Sequence, residues 1–331
     1  MSEHIRLTAT EIGSLWSSYM TESASIPMLK YFLAKVEDSE IKSIIKLTLT
    51  TSQNHLMELE TIFKREDFPI PIGFSLEDVN LNAPRLFSDT YFLYFIRSLS
   101  KAGIASNGAA ISAAAREDIR KLYNKYLTDA VAIEDATKQL LLNKGIFVRP
   151  PHLPTPKEPE LIKNENFLKG WLGERRPLTA EEITHIYMNY TNNIHGKSLL
   201  LGFAQTSQIE KVRKHFLRGV ELSKSILSAL QTLLEESNLP APMTWDAEVT
   251  DVTVPVFSDK LMMFQTNTIT AISLANIGGS IALSFRRDIA AKYSKQLANV
   301  GLYAEDGAEL MIHNGWLELP PISANRKNLI K

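Results

Sequence analysis

The sequence predicts an all-α protein: two tandem four-helix bundles produced by an internal duplication. Three observations carry this expectation. Blocks of residues recur in the same order about 170 positions apart. Apolar residues recur with helical period over long stretches, and capping signals bracket those stretches in both copies.

The first block, Leu7-Thr8-Ala9-Thr10-Glu11-Ile12, returns 171 positions on as Leu178-Thr179-Ala180-Glu181-Glu182-Ile183. At the same offset Asp67-Phe68-Pro69-Ile70-Pro71 aligns with Asn238-Leu239-Pro240-Ala241-Pro242. The offset then slips to 170, where Phe87-Ser88-Asp89 matches Phe257-Ser258-Asp259 and Arg116-Glu117-Asp118-Ile119 matches Arg286-Arg287-Asp288-Ile289. Each copy closes on a glycine and a proline pair, Gly145 with Pro150-Pro151 and Gly315 with Pro320-Pro321. Ordered blocks with a single residue of drift are the mark of duplication.

The elements follow in order. A first helix over 8–36 opens with the capping box Thr8/Glu11, echoed by Thr179/Glu182 at the start of 179–206. The second helices, 39–65 and 208–236, carry wide apolar stripes: Ile41, Ile45, Leu56 and Leu59 in one, Val212, Phe216, Leu227 and Leu230 in the other. A loop of about twenty residues follows in each copy (68–87 and 239–257). Ser88 and Ser258 are N-caps for the third helices, 88–112 and 258–283. The fourth helices, 115–144 and 285–314, stop at Gly145 and Gly315, which suit the left-handed C-cap. A long crossover between second and third helices, with short connections elsewhere, distinguishes a ferritin-like bundle from a simple up-down one. The domains are then 1–149 and 178–331, joined by a stiff segment over 150–177 that holds six of the fifteen prolines. Trp171 within it is expected to be mostly buried and to set the relative placement of the bundles.

Composition narrows the function classes. With 44% hydrophobic and 22% charged residues over 331 positions, the chain has the balance of a folded soluble protein. A formal net charge of −1 gives no global attraction for nucleic acid. Cysteine is absent, which removes disulfides, thiolate ligands and thiol nucleophiles together. No apolar stretch is long enough to span a bilayer and no apolar signal core follows Met1, so the expected setting is the cytoplasm.

Phe87-Ser88-Asp89, Arg116-x-Asp118 and Gly145 with Pro150-Pro151, together with their second-half partners, resemble an uncharacterised family of tandem ferritin-like proteins from endospore-forming bacteria, related to spore coat protein F. The resemblance implies two ferritin-like four-helix domains and a spore association, and no activity.

A ferritin-like fold raises the question of a carboxylate-bridged metal pair, which needs inward Glu on every helix and Glu-x-x-His on two. Glu182-x-x-His185 is the sole such spacing; Glu182 is used by the capping box, the first half has Ser14 at the His position, and His185 points away from the apolar stripe. Glu305, Glu309 and His313 share a helical spacing but read as a solvated face. His55 and His215 fall on core stripes where the other half has Ile226 and Ile44, and are the ligand or metal candidates. The more ordinary reading of each is a core histidine bonded across the bundle. Arg116 with Asp118, Arg286 with Asp288, and Asp89 with Asp259 read as structural polar groups at helix starts. The small-residue stretches Gly103–Ala115 and Ala271–Ala282 read as close helix packing. The function expected is that of a non-enzymatic structural or interaction protein that binds a protein partner or a second copy, with no cofactor; the alternative is a metal- or small-ligand-binding bundle.

Overall fold

The structure, a computed structural model, describes residues 5–171, 175–243 and 246–326. Eight long α-helices account for most of it: α1 (Ala9–Lys35), α2 (Ser39–Arg65), α3 (Asp89–Ala113) and α4 (Glu117–Asn143) in the first half, and α5 (Ala180–Thr206), α6 (Glu210–Glu235), α7 (Asp259–Ala282) and α8 (Arg287–His313) in the second. Among the described residues there is no strand longer than an isolated bridge. The closest helix pairs are α1 with α2, α3 with α4, α5 with α6, and α7 with α8, so each half packs as two hairpins.

The repeat extends to backbone detail. Both capping boxes form, with Thr8 and Thr179 accepting from the amides of Glu11 and Glu182. Asp67 and Asn238, equivalent positions after α2 and α6, both adopt left-handed φ, 53° and 55°, a conformation that Asp and Asn tolerate better than most side chains. Gly145 and Gly315 end α4 and α8 at φ 69° and 68°, where a Cβ would be strained.

The long loops, not the joining segment, tie the halves together. Asn80 N donates to Val256 O (2.8 Å), and Thr250 N to Leu86 O (2.9 Å). Ser88 N donates to Glu248 O (3.0 Å), and Ser258 N to Asp78 O (2.9 Å). The Ser88 hydroxyl also donates to the Glu248 carboxylate, and that of Ser258 to Asp78 Oδ1. Every one of these bonds has its twin 170 residues away, so the two loops exchange equivalent contacts about a pseudo-twofold axis, as the patches of a symmetric dimer do. The central core crosses that axis: Phe32, Phe87 and Phe92 share one apolar cluster with Phe203, Phe257 and Met262. Smaller clusters fill the outer end of each half.

Trp171 corrects the sequence expectation. It is 62% exposed. The buried residue is its neighbour Gly170, at which an added Cβ would stand 1.8 Å from Asp288 Oδ1. Close approach of a bare backbone to the start of α8 holds the segment, aided by Arg176 stacked 4.0 Å over Phe167.

Candidate functional site

A cavity of about 980 Å³ opens between the halves and is lined by all eight helices. Many lining residues occupy equivalent positions in the two copies, Ser52 with Ser223, Phe95 with Gln265, Leu99 with Ile269 and Ala130 with Val300 among them. The volume lies at the upper end of the roughly 300–1,000 Å³ usual for small-molecule sites. The small residues of α3 help make this space. Ala102, Gly103, Ala105, Ser106 and Ala109 line the cavity, and Gly278 and Gly279 of α7 face open space. The close packing expected from these stretches holds at Gly103, whose Cβ would meet Ala130 at 3.3 Å, and fails at Gly108, Gly278 and Gly279, where a Cβ would meet nothing within 4 Å.

His55 lies on the cavity wall, buried, between two carboxylates from other helices. Nδ1 is 2.8 Å from Glu22 Oε1 of α1, and Nε2 is 3.0 Å from Asp129 Oδ2 of α4. Carboxylates only accept, so both contacts are hydrogen bonds when both ring nitrogens carry protons. Burial works to lower the His55 pKa, but the bonds to Glu22 and Asp129 outweigh it and raise the pKa. Tyr126 stacks on the ring at 3.7 Å and donates its hydroxyl to His55 O. His55 is thus bonded across the helices, by residues that spacing within α2 could not reveal.

His215 differs, and here the structure corrects the sequence. A hydrogen-bonded core histidine was expected, yet Nε2 is buried without a partner. The ring stacks at 4.1 Å and 4° on Tyr303, whose hydroxyl also lacks a partner and which lines the cavity. Burial, assisted by Arg218, pulls the His215 pKa down to about 4.

The strongest feature escaped the sequence reading. His195 of α5 is buried on the cavity wall, its Nδ1 unpartnered, and burial followed by the charge of Lys101 pulls its pKa down to about 4. It stacks at 5.1 Å on Tyr91 of the other half, whose buried hydroxyl has no partner either. Lys101 of α3 lines the same cavity. The signal that could have found both is their exchange between copies, Lys101 for Ala271 and His195 for Ala24.

The remaining candidates lie at helix ends. Arg116 forks onto Asp118 (3.0 and 2.7 Å) and Glu66 (2.9 and 2.9 Å). Arg286 forks onto Asp288 (3.1 and 2.8 Å) in a fully buried position. Glu11 and Glu182 do more than close their own helices: Glu11 accepts from Ala115 N and Arg116 N, and Glu182 from Arg286 N, so each also caps the fourth helix of its half. Asp89 accepts from Glu37 N and Asp38 N, and Asp259 from Ile209 N, at the starts of α2 and α6. His185 bonds to Ser280, 3.2 Å away. Glu305, Glu309 and His313 are exposed. Among the described residues no three or more His, Asp or Glu converge as metal ligands. The donor set does not suit a ferritin-type centre, because both His55 nitrogens are engaged by the carboxylates that would have to turn to a metal.

Comparison with known proteins places the chain. The uncharacterised protein YvdQ of Bacillus subtilis is 23% identical over 147 residues, covering 43% of this chain and 85% of that protein. A crystal structure from Bacillus halodurans, provisionally described as that of a spore coat protein, aligns with 46% of this chain and 98% of its own at 20% identity and a TM-score of 0.41. The family described as a protein of unknown function, DUF3231, matches residues 1–158 and again 166–329. The chain belongs to this DUF3231 family and carries its repeat twice.

Proposed function

We propose that the protein is a non-enzymatic small-ligand-binding protein, built from two ferritin-like four-helix bundles over 1–149 and 178–331 that enclose one shared site. The observation that carries this is the cavity wall: His195 and Tyr303 line it, and His195 Nδ1 and the Tyr303 hydroxyl are buried directly behind it with no protein partner. A buried polar atom without a partner costs about 1–3 kcal/mol, a cost that a ligand bearing a hydrogen-bonding group would relieve. This favours the ligand-binding alternative over a purely structural role, and favours an organic ligand over a metal. His55 then serves as a wall residue, His215 as the ring behind the wall residue Tyr303, and the Arg116–Asp118 and Arg286–Asp288 pairs as helix-end struts.

The reading fits a cytoplasmic or spore-associated protein, and no helix among the described residues is long and apolar enough to cross a membrane. The test is native mass spectrometry of the full chain purified without detergent, followed by solvent extraction. A stoichiometric organic adduct whose removal lowers the melting temperature is the expected result. A bare mass, with no stabilisation by any of a panel of amphiphiles, would sink the proposal. Stoichiometric iron, manganese or zinc would instead restore the metal alternative.

A further inference from the structure

We propose that the cavity binds one amphipathic monocarboxylic acid per chain, with its carboxylate between Lys101 and His195 and its hydrocarbon part in the remaining space. This rests on the ligand-binding reading above and adds the class of ligand.

The cation comes first. Lys101 lines the cavity, and the one carboxylate that acts on it, Glu134, does so through its charge and not through a hydrogen bond. Glu134, the acid whose charge it feels, is already held by Arg97 (3.3 Å) and Lys138 (3.2 Å). A half-buried ammonium whose nearest acid is shared with two other cations is open to a further anion. His195 borders the same cavity from the opposite half, backed by Tyr91, with its unpartnered Nδ1 buried just behind the wall. Glu134 already offsets part of the positive charge of Arg97 and Lys138, so the cation that faces the cavity is the single Lys101 ammonium, which one carboxylate matches.

Asymmetry fixes the number. Under the repeat, Lys101, His195 and Tyr91 correspond to Ala271, Ala24 and Leu261. The pseudo-symmetric counterpart of the head-group site is therefore wholly apolar, and two acids cannot be held alike. The acidic pair flanking His55 disfavours a carboxylate at that part of the wall.

The rest of the lining suits hydrocarbon. Phe95, Leu99, Ile133, Leu200, Phe264 and Ile269 supply apolar surface. Several hydroxyls that look polar are bonded to their own helix: Thr48 to Ile44 O, Ser98 to Tyr94 O, Thr268 to Phe264 O and Thr270 to Thr266 O. What such residues leave for a ligand is largely their carbon.

The experiment is calorimetric titration of solvent-extracted full-length protein with decanoate, dodecanoate and tetradecanoate below their micellar concentrations, beside the methyl esters and alcohols of equal length. The expected result is one site per chain, affinity rising about fourfold per added methylene, and acid binding at least tenfold tighter than ester. Lys101→Met should abolish the preference for the acid while leaving ester affinity within twofold, so ester binding itself reports that the variant is folded. His195→Phe, which keeps the stack on Tyr91, should weaken the acid severalfold. Equal affinity for acid and ester, two equivalent sites, or a Lys101→Met variant that loses both ligands equally would overturn the inference and leave the ligand-binding reading standing. Failure of acid, ester and alcohol alike would overturn both.

Discussion

Glu22, His55 and Asp129 of the first half correspond to Asn193, Ile226 and Asn299 of the second. Two charged partners and the histidine between them have been exchanged as a set for neutral residues. The reverse holds about three turns away along the second helix, where His215 of the second half replaces Ile44 and its neighbour Tyr303 replaces Ile133. Each half thus has one inward histidine on its second helix, His55 on the cavity wall and His215 behind the wall residue Tyr303, in opposite electrostatic settings. His55 is held by carboxylates, whereas His215 is buried against a ring with Nε2 unbonded. Duplicated scaffolds keep backbone and caps because folding needs them, while residues around a cavity diverge in groups, since a buried charge is tolerable only with its partners.

The sharpest break in this equivalence is at the start of the fourth helices. Arg286 and Asp288 have 1% and 3% side-chain exposure, whereas Arg116 and Asp118 have 10% and 42%. Arg286→Ala strands a buried carboxylate and should cost about 3–5 kcal/mol, against about 1–2 kcal/mol for Arg116→Ala, whose Asp118 can turn to water and whose Glu66 keeps Arg65 as a partner. Urea unfolding of the two variants measures the gap, and equal losses would show that the joining segment does not seal the second half.

Acid should expose the second half next. His195 and His215 are neutral when folded, with pKa values near 4 against an ordinary 6.5. Their contribution is complete above pH 6.5 and is lost as the unfolded chain takes up protons on the way down to about 4, by roughly 2–3 kcal/mol each. His55 has the opposite sign: its raised pKa stabilises fully below 6.5 and ceases to do so as pH rises through the folded value. His215→Ile should therefore blunt the fall in stability between pH 6.5 and 4, and leave the alkaline side unchanged. An unaltered acid profile would show that the ring is solvated.

Substituting His55→Ile alone brings Glu22 and Asp129 together without their cation. A loss of about 2–3 kcal/mol is expected, less than for a fully buried pair because Asp129 retains 34% side-chain exposure. Adding Glu22→Asn and Asp129→Asn, which completes the second-half set, should recover most of that loss. If the triple variant is no more stable than the single one, the exchange is not a coupled set. The smallest effect is expected at the junction: Trp171→Ala should change stability by less than about 0.5 kcal/mol, while Gly170→Ala, forced against Asp288, should cost about 1–3 kcal/mol.

The sequence by itself determined the all-helical fold class, the repeat, the helix positions and their caps. These are local properties: stripe period, capping hydroxyls and left-handed glycines act within one or two turns, and a duplicated chain repeats them in print. It also marked His55 as inward, because a position on a stripe is a property of one helix. Only the tertiary structure decided what His55 faces, since Glu22 and Asp129 lie 33 and 74 positions away. The same holds for the joining segment, where a bulky apolar residue suggested burial and a close approach available only to glycine decided otherwise. The cavity was the least legible feature. It exists where α1, α3, α5 and α7 fail to fill the space around a pseudo-twofold axis, and its cation and its free histidine come from different halves. No periodicity along one chain segment encodes an empty volume between two others.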